Sequence, residues 1–158
     1  MGSWLIRDVI GADAEEDFLN FDLSEIRNLS EALQMMEGLD LPQAEKLAQD
    51  SLRCADILCE YLAKLTKTVA YLESKLNSAK NKESLAYENP KGKTTADMRR
   101  WAGETSPEVE ELQLKIAKAK GSKSLVEKKF DIAIKSHHHF KDMAGSLRKT
   151  ILGYRDGV

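Results

Sequence analysis

Three groups of side chains in this 158-residue chain are of types that could do chemistry. The first is the run His137–His139. Imidazoles ligate zinc and its neighbours, but successive residues on a helix point about 100° apart, so three in a row cannot close on one ion. Only His138 and Asp142, four apart, share a face, and they offer at most a weak adventitious site. The second group is Cys54 and Cys59. Their spacing is not that of a CxxC motif, and two cysteines make a poor disulfide framework, so both read as thiols of a reducing compartment. The third is the stretch from Ala79 to Gly103, "AKNKESLAYENPKGKTTADMRRWAG". It sets Lys80, Lys82, Lys91, Lys93, Arg99 and Arg100 against Glu83, Glu88 and Asp97, with Tyr87 and Trp101 among them. Cations that follow a phosphate chain while aromatics stack on bases are what sequence-tolerant binding of a single strand requires. No Gly-rich phosphate loop, nucleophile elbow or zinc-spaced Cys/His set accompanies these groups, so a non-enzymatic protein without metal or cofactor is expected.

The formal net charge of −2 conceals a division. Residues 1–40 carry ten acidic side chains against Arg7 and Arg27, a net of −8, and the remainder is +6. This pattern is that of an acidic N-terminal arm attached to a basic body. Charged residues make up 32% and aromatics 6% of the chain, with three prolines, a composition suited to long helices. No apolar run approaches membrane-spanning length, and the start is acidic where a signal peptide would be basic, so a cytoplasmic protein is expected.

Two heptad runs must position the basic stretch. From Ala55, apolar residues alternate at steps of three and four through Leu58, Leu62, Leu65, Val69, Leu72 and Leu76 to Ala79. The register extends back through Ser51, Ala48 and Ala44 to Leu41. Asp40 and Gln43 have capping-box spacing and Pro42 suits a first turn, so the helix is predicted to run from about residue 41 to about Asn89, where Pro90 and Gly92 interrupt it. The second run passes through Val109, Ile116, Val126, Ala133, His137, Phe140 and Leu147 to Ile151. Ser106-Pro107 opens it, Glu108, Glu110 and Glu111 suit its positive end, and Gly153 is the natural stop. Each helix would span roughly 65–70 Å, and the equal lengths predict an all-α antiparallel helical hairpin, residues 41–153, with a basic connector at 89–106. Within that connector, Thr94 and Asp97 suit the start of a short helix through Trp101. Folding the hairpin brings Lys75, Lys80 and Lys82 alongside Lys115, Lys118, Lys120 and Lys123.

A strict seam of this kind makes a thin core. Two devices could widen it. A short amphipathic helix, capped by Asp22 and Glu25 and ended by Gly38, carries Ile26, Leu29, Leu33 and Met36 on one side. A flanking column of Leu125, Ile132 and Met143 on the second helix is a candidate homo-oligomer interface. A different class of function also fits these features, namely a coiled-coil adaptor that recognises protein and no nucleic acid. "WAG" at Trp101–Gly103 matches the short signature of secreted helical hairpins of the WXG type, although the connector here is more basic and the helices longer.

Over roughly residues 77–145 the sequence resembles the UvsY-type recombination mediators of T-even-like phages. Lys80 and Lys82 in "AKNKESLAY" are similar to the family's basic-x-basic element before a tyrosine. "KTTADMRRWAGETSPEV" resembles its Lys-x-x-x-Met-basic segment with an acidic residue and a helix start. "FDIAIKSHHHFKDM" is similar to its Ala-x-x-Ile-Lys-Ser pattern. The acidic residues 1–40 have no counterpart in that pattern. The resemblance implies a ring-like homo-oligomer that binds single-stranded DNA, contacts a RecA-like recombinase and a single-strand-binding protein, and helps load the recombinase. It places Lys80 and Lys82 on the DNA and the protein in a host cytoplasm. Tyr87, Lys91, Lys93, Arg99, Arg100, Trp101, Lys115 and Lys118 join them as candidates on charge and stacking alone.

Overall fold

The computed structural model describes residues 21–34 and 38–155. Its helices are α1 (Ser24–Gln34), α2 (Leu41–Ala86), α3 (Ala96–Glu104) and α4 (Pro107–Arg155). The fold is all-α, as the two heptad runs predict. The long helices α2 and α4, of 46 and 49 residues, pack antiparallel with the short α3 between them.

Their starts follow from local hydrogen bonding. The Gln43 backbone N–H donates to Asp40 Oδ1 at 2.8 Å, and the Asp40 N–H donates to Gln43 Oε1 at 3.1 Å. This reciprocal box satisfies two donors that the first turn of α2 would otherwise leave open. At α4 the Val109 N–H donates to Ser106 Oγ at 3.3 Å.

Other boundaries shift from expectation. α2 ends at Ala86, with one further helical bond from Tyr87 N to Glu83 O at 3.1 Å. α4 runs through Gly153 to Arg155, because Gly153 keeps a helical backbone and is not among the left-handed glycines. The cap of α3 is Thr95 rather than Thr94, and α3 continues past Trp101 to Glu104. At α1, Asp22 accepts from Ser24 N at 2.9 Å, while Glu25 turns instead to Arg53, at 2.9 Å. Met36 lies outside the described residues.

The chain divides into two compact units, a terminal unit (Met1–Ala63 with Ser124–Val158) and a connector unit (Lys64–Lys123). In the terminal unit the seam residues Ala44, Ala48, Ser51, Ala55 and Leu58 of α2 are buried, as are Val126, Ala133, Phe140 and Ala144 of α4. A third layer closes this core. Phe21, Leu23, Ile26 and Leu29 are all buried. Phe21 lies 4.7 Å from the Tyr61 ring, and the Tyr61 hydroxyl donates to the Asp22 carbonyl at 2.9 Å. The connector unit buries a narrower strip, Leu65, Leu72 and Ala79 of α2 with Val109, Ile116, Ala119 and Ser122 of α4.

Candidate nucleic-acid interface

The connector unit carries thirteen basic and eight acidic side chains, a net of +5, whereas the terminal unit is −7. The positive charge is concentrated beyond the N-terminal arm, and structure decides which of these cations are free.

The turn after α2 is organised by one side chain, Asn89. Its Oδ1 accepts from the Lys91 N–H at 3.0 Å, and its Nδ2 donates to the Lys93 carbonyl at 3.1 Å. Its own backbone N–H donates to Thr94 Oγ1 at 2.9 Å, so the Thr94 hydroxyl serves this turn while Thr95 caps α3. Gly92 has φ +153°, a backbone that side-chain-bearing residues rarely adopt. Lys91 and Lys93 are thereby held on either side of it, both exposed.

The α3 platform comes next. Met98 N donates to the cap Thr95 Oγ1 at 3.3 Å. At the other end the Trp101 carbonyl accepts from both Thr105 N, at 3.1 Å, and Thr105 Oγ1, at 2.9 Å. The turn bearing Trp101 is fixed, yet its indole is 62% exposed. Exposure of so large an apolar ring on a fixed turn is what a stacking platform needs. Tyr87 is half-buried and less available.

The candidate cations fall into two sets. Lys80, Lys82, Lys91, Lys93 and Arg99 make no ion pair among the described residues. Arg100 pairs with Asp97 at 3.1 Å, Lys120 with Glu73 at 2.7 Å and Lys115 with Glu111 at 2.5 Å. The Lys115 ammonium holds the Glu111 carboxyl below its ordinary value, first by hydrogen bonding and then by charge. Lys118 is half-buried and already engaged. Lys75 lies with Nζ 4.8 Å from the Tyr71 ring centroid, a cation–π distance. A groove of about 370 Å³ is lined by Lys75, Ser78, Ala79 and Lys82 of α2 and by Glu108, Glu111, Leu112 and Lys115 of α4. The expected juxtaposition of Lys75 and Lys82 with Lys115 is therefore found, but two carboxylates share it.

The other candidates are placed as follows. His137 lies on the seam, where Nδ1 donates to the Ala48 carbonyl at 2.9 Å. His138 and Asp142 are exposed, and no cluster of three metal-ligating side chains occurs among the described residues. Both cysteines are free thiols; burial pushes Cys54 up to about 11, while Cys59 is exposed. Of the proposed oligomer column, Leu125 and Met143 are half-buried and Ile132 is 54% exposed. No described helix is long and apolar enough to cross a membrane.

Asn89 and Gly103 are residues that sequence reasoning did not single out. The "NPKGK" turn signal marks the first; the second enters only as the last residue of "WAG", beyond the predicted end of the short helix at Trp101. Comparison of the chain with family models, with curated proteins and with solved structures finds no match.

Proposed function

We propose that this protein is a non-enzymatic single-stranded DNA-binding factor that acts as a recombination mediator, assembling as a homo-oligomer and helping to load a RecA-like recombinase. The observation that carries the DNA reading is the set of five cations that make no ion pair among the described residues, in the same unit as an exposed, backbone-anchored Trp101. Phosphates would be neutralised by Lys80, Lys82, Lys91, Lys93 and Arg99, with a base stacked on Trp101. Arg100, Lys115 and Lys118 have partners in the chain and contribute less. Tyr87 is a secondary stacking candidate. The mediator role, the recombinase and the single-strand-binding protein rest on the resemblance to UvsY-type mediators over roughly residues 77–145, which places Lys80 and Lys82 on the DNA. Self-association would use Ile132 together with Leu125 and Met143.

One observation favours a second reading, a protein-recognising adaptor: Leu85 is 76% exposed in the last turn of α2, and Met98 is also exposed in the same unit. Anisotropy titration of a labelled oligonucleotide at low salt separates the two. Saturable binding that weakens with salt, with quenching of indole fluorescence lost in Trp101→Phe, supports the DNA reading. Failure to bind any oligonucleotide at low salt transfers the surface to a protein partner.

A further inference from the structure

Gly103 is buried near the end of α3. Its backbone is not left-handed, so it is not there for conformational freedom. What it allows is proximity. A Cβ built on Gly103 would lie 2.6 Å from the carbonyl oxygen of Lys80 and would overlap Ser84 Oγ. The hydroxyl could rotate away, but the Lys80 carbonyl belongs to the backbone of α2 and cannot. α3 therefore sits against α2 at a distance that only a glycine permits. By contrast, a Cβ on Gly121 of α4 would meet nothing within 4 Å.

The consequence follows from what each side of this contact carries. Lys80 and Lys82 lie on the α2 side, and Arg99, Arg100 and Trp101 lie within the four residues preceding Gly103. We propose that Gly103 is the positioning residue of the interface: its close approach to the Lys80 carbonyl sets α3 in register with α2, so that one strand meets both groups of cations and the indole. This rests on the single-strand DNA reading above. Gly103 touches no ligand itself. It fixes how closely the turn of α2 that bears Lys80 sits against the helix that bears the stacking ring.

The test compares Gly103→Ala with Gly121→Ala. Alanine is the better helix former at both positions, so without a tertiary constraint both variants should behave alike. The expected result is that Gly103→Ala keeps its helical circular dichroism but increases acrylamide quenching of indole fluorescence, using a Trp4→Phe background so that Trp101 alone reports. Its oligonucleotide affinity should fall about 5- to 150-fold, the range for loss of one base stack. The salt slope should flatten by about 0.7 to 1.4 units, as one or two phosphates go unneutralised. A variant that merely folds less completely would lose affinity with its slope intact. The pair Gly103→Ala with Ser84→Ala should stay defective, because the Lys80 carbonyl remains. Wild-type quenching and slope in Gly103→Ala, or full recovery in that pair, would overturn the proposal. If the unmodified protein binds no oligonucleotide, the DNA reading fails, and the quenching comparison still decides whether Gly103 sets α3.

Discussion

Replacing Lys80 and Lys82 together by Ala tests the interface most directly. Neither side chain makes an ion pair among the described residues, so each has a full charge to offer a phosphate. On a single strand each neutralised phosphate contributes about 0.7 to the slope of log affinity against log salt. Five cations without an ion pair among the described residues therefore give a slope of at most about −3.5 per protomer, and losing two flattens it by about 1.4. Between about 50 and about 200 mM salt, that difference makes the variant about sevenfold less salt-sensitive than the parent. Lys115 and Lys120 supply the contrast. They already face Glu111 and Glu73, so Lys115→Ala with Lys120→Ala should flatten the slope by well under one unit. Anisotropy titrations at four or five salt concentrations give both slopes, and helical circular dichroism should survive in both variants, since all four residues lie off the buried strip. A larger flattening in the Lys115/Lys120 variant would refute the reasoning and move the strand toward α4.

Ser51 Oγ is buried without a hydrogen-bond partner among the described residues, so Ser51→Ala should raise stability in urea by about 1 kcal/mol; destabilisation would reveal a partner for the hydroxyl. Cys59 should react with a disulfide reagent at about pH 8 while Cys54, buried with its thiol held near 11, reacts only as the terminal unit opens; equal rates would contradict that burial. Asp22 is held below its ordinary value of 3.8 by the Ser24 hydroxyl and N–H, so its capping contribution is present above that value and lost as pH falls through the lower folded value. Asp22→Asn should accordingly be less stable than the parent at neutral pH and equal to it at the acid end of a denaturation series. Residues 1–20 carry five carboxylates against Arg7, and removing them, while keeping the buried Phe21, should tighten oligonucleotide binding at low salt and leave it unchanged at high salt. An unchanged affinity at low salt would limit that segment to binding partner proteins.

The long helices were legible because their signal is redundant. A 3.5-residue period repeated over a dozen turns survives a polar intruder such as Ser51 or His137, and the capping box at Asp40 and Gln43 is written in four consecutive residues. The third layer was legible only in part. The spacing of Ile26 and Leu29 marks an amphipathic helix, but nothing in that spacing says that Phe21 and Leu23, ahead of the helix, complete the core against Tyr61. The connector was the least legible, because its geometry is decided by contacts between residues that no periodicity links. Thr94 and Thr95 are equivalent as caps in sequence, and the structure divides their roles: Thr94 accepts from the Asn89 N–H and Thr95 from the Met98 N–H. Gly103 reads only as the end of a three-residue "WAG" match until the carbonyl of Lys80 is placed beside it.

The same contrast bears on Lys91 and Lys93, whereas Lys80, Lys82 and Arg99 lie on helices and still make no ion pair among the described residues. A lysine on a helix has neighbours at three and four residues, and on paired helices it has others across the interface, so a carboxylate is seldom far away. Lys115 finds Glu111 one turn back, Arg100 finds Asp97, and Lys120 finds Glu73 on the facing helix. Residues 89–95 lie outside the helices, and the side chain that governs them, Asn89, is neutral. Lys91 and Lys93 are therefore held by their own backbone groups, with their ammonium groups uncommitted. Replacing Asn89 by Asp would keep the acceptor for Lys91 N but lose the donor to the Lys93 carbonyl and add a charge between the two lysines. The basic character of the connector unit is in this sense a product of its fold as well as of its composition. Exposed ion pairs are individually weak, about 0 to 1 kcal/mol, so they do not forbid a phosphate from displacing a carboxylate. They do rank the cations, and those without an ion pair among the described residues, in the same unit as Trp101, come first.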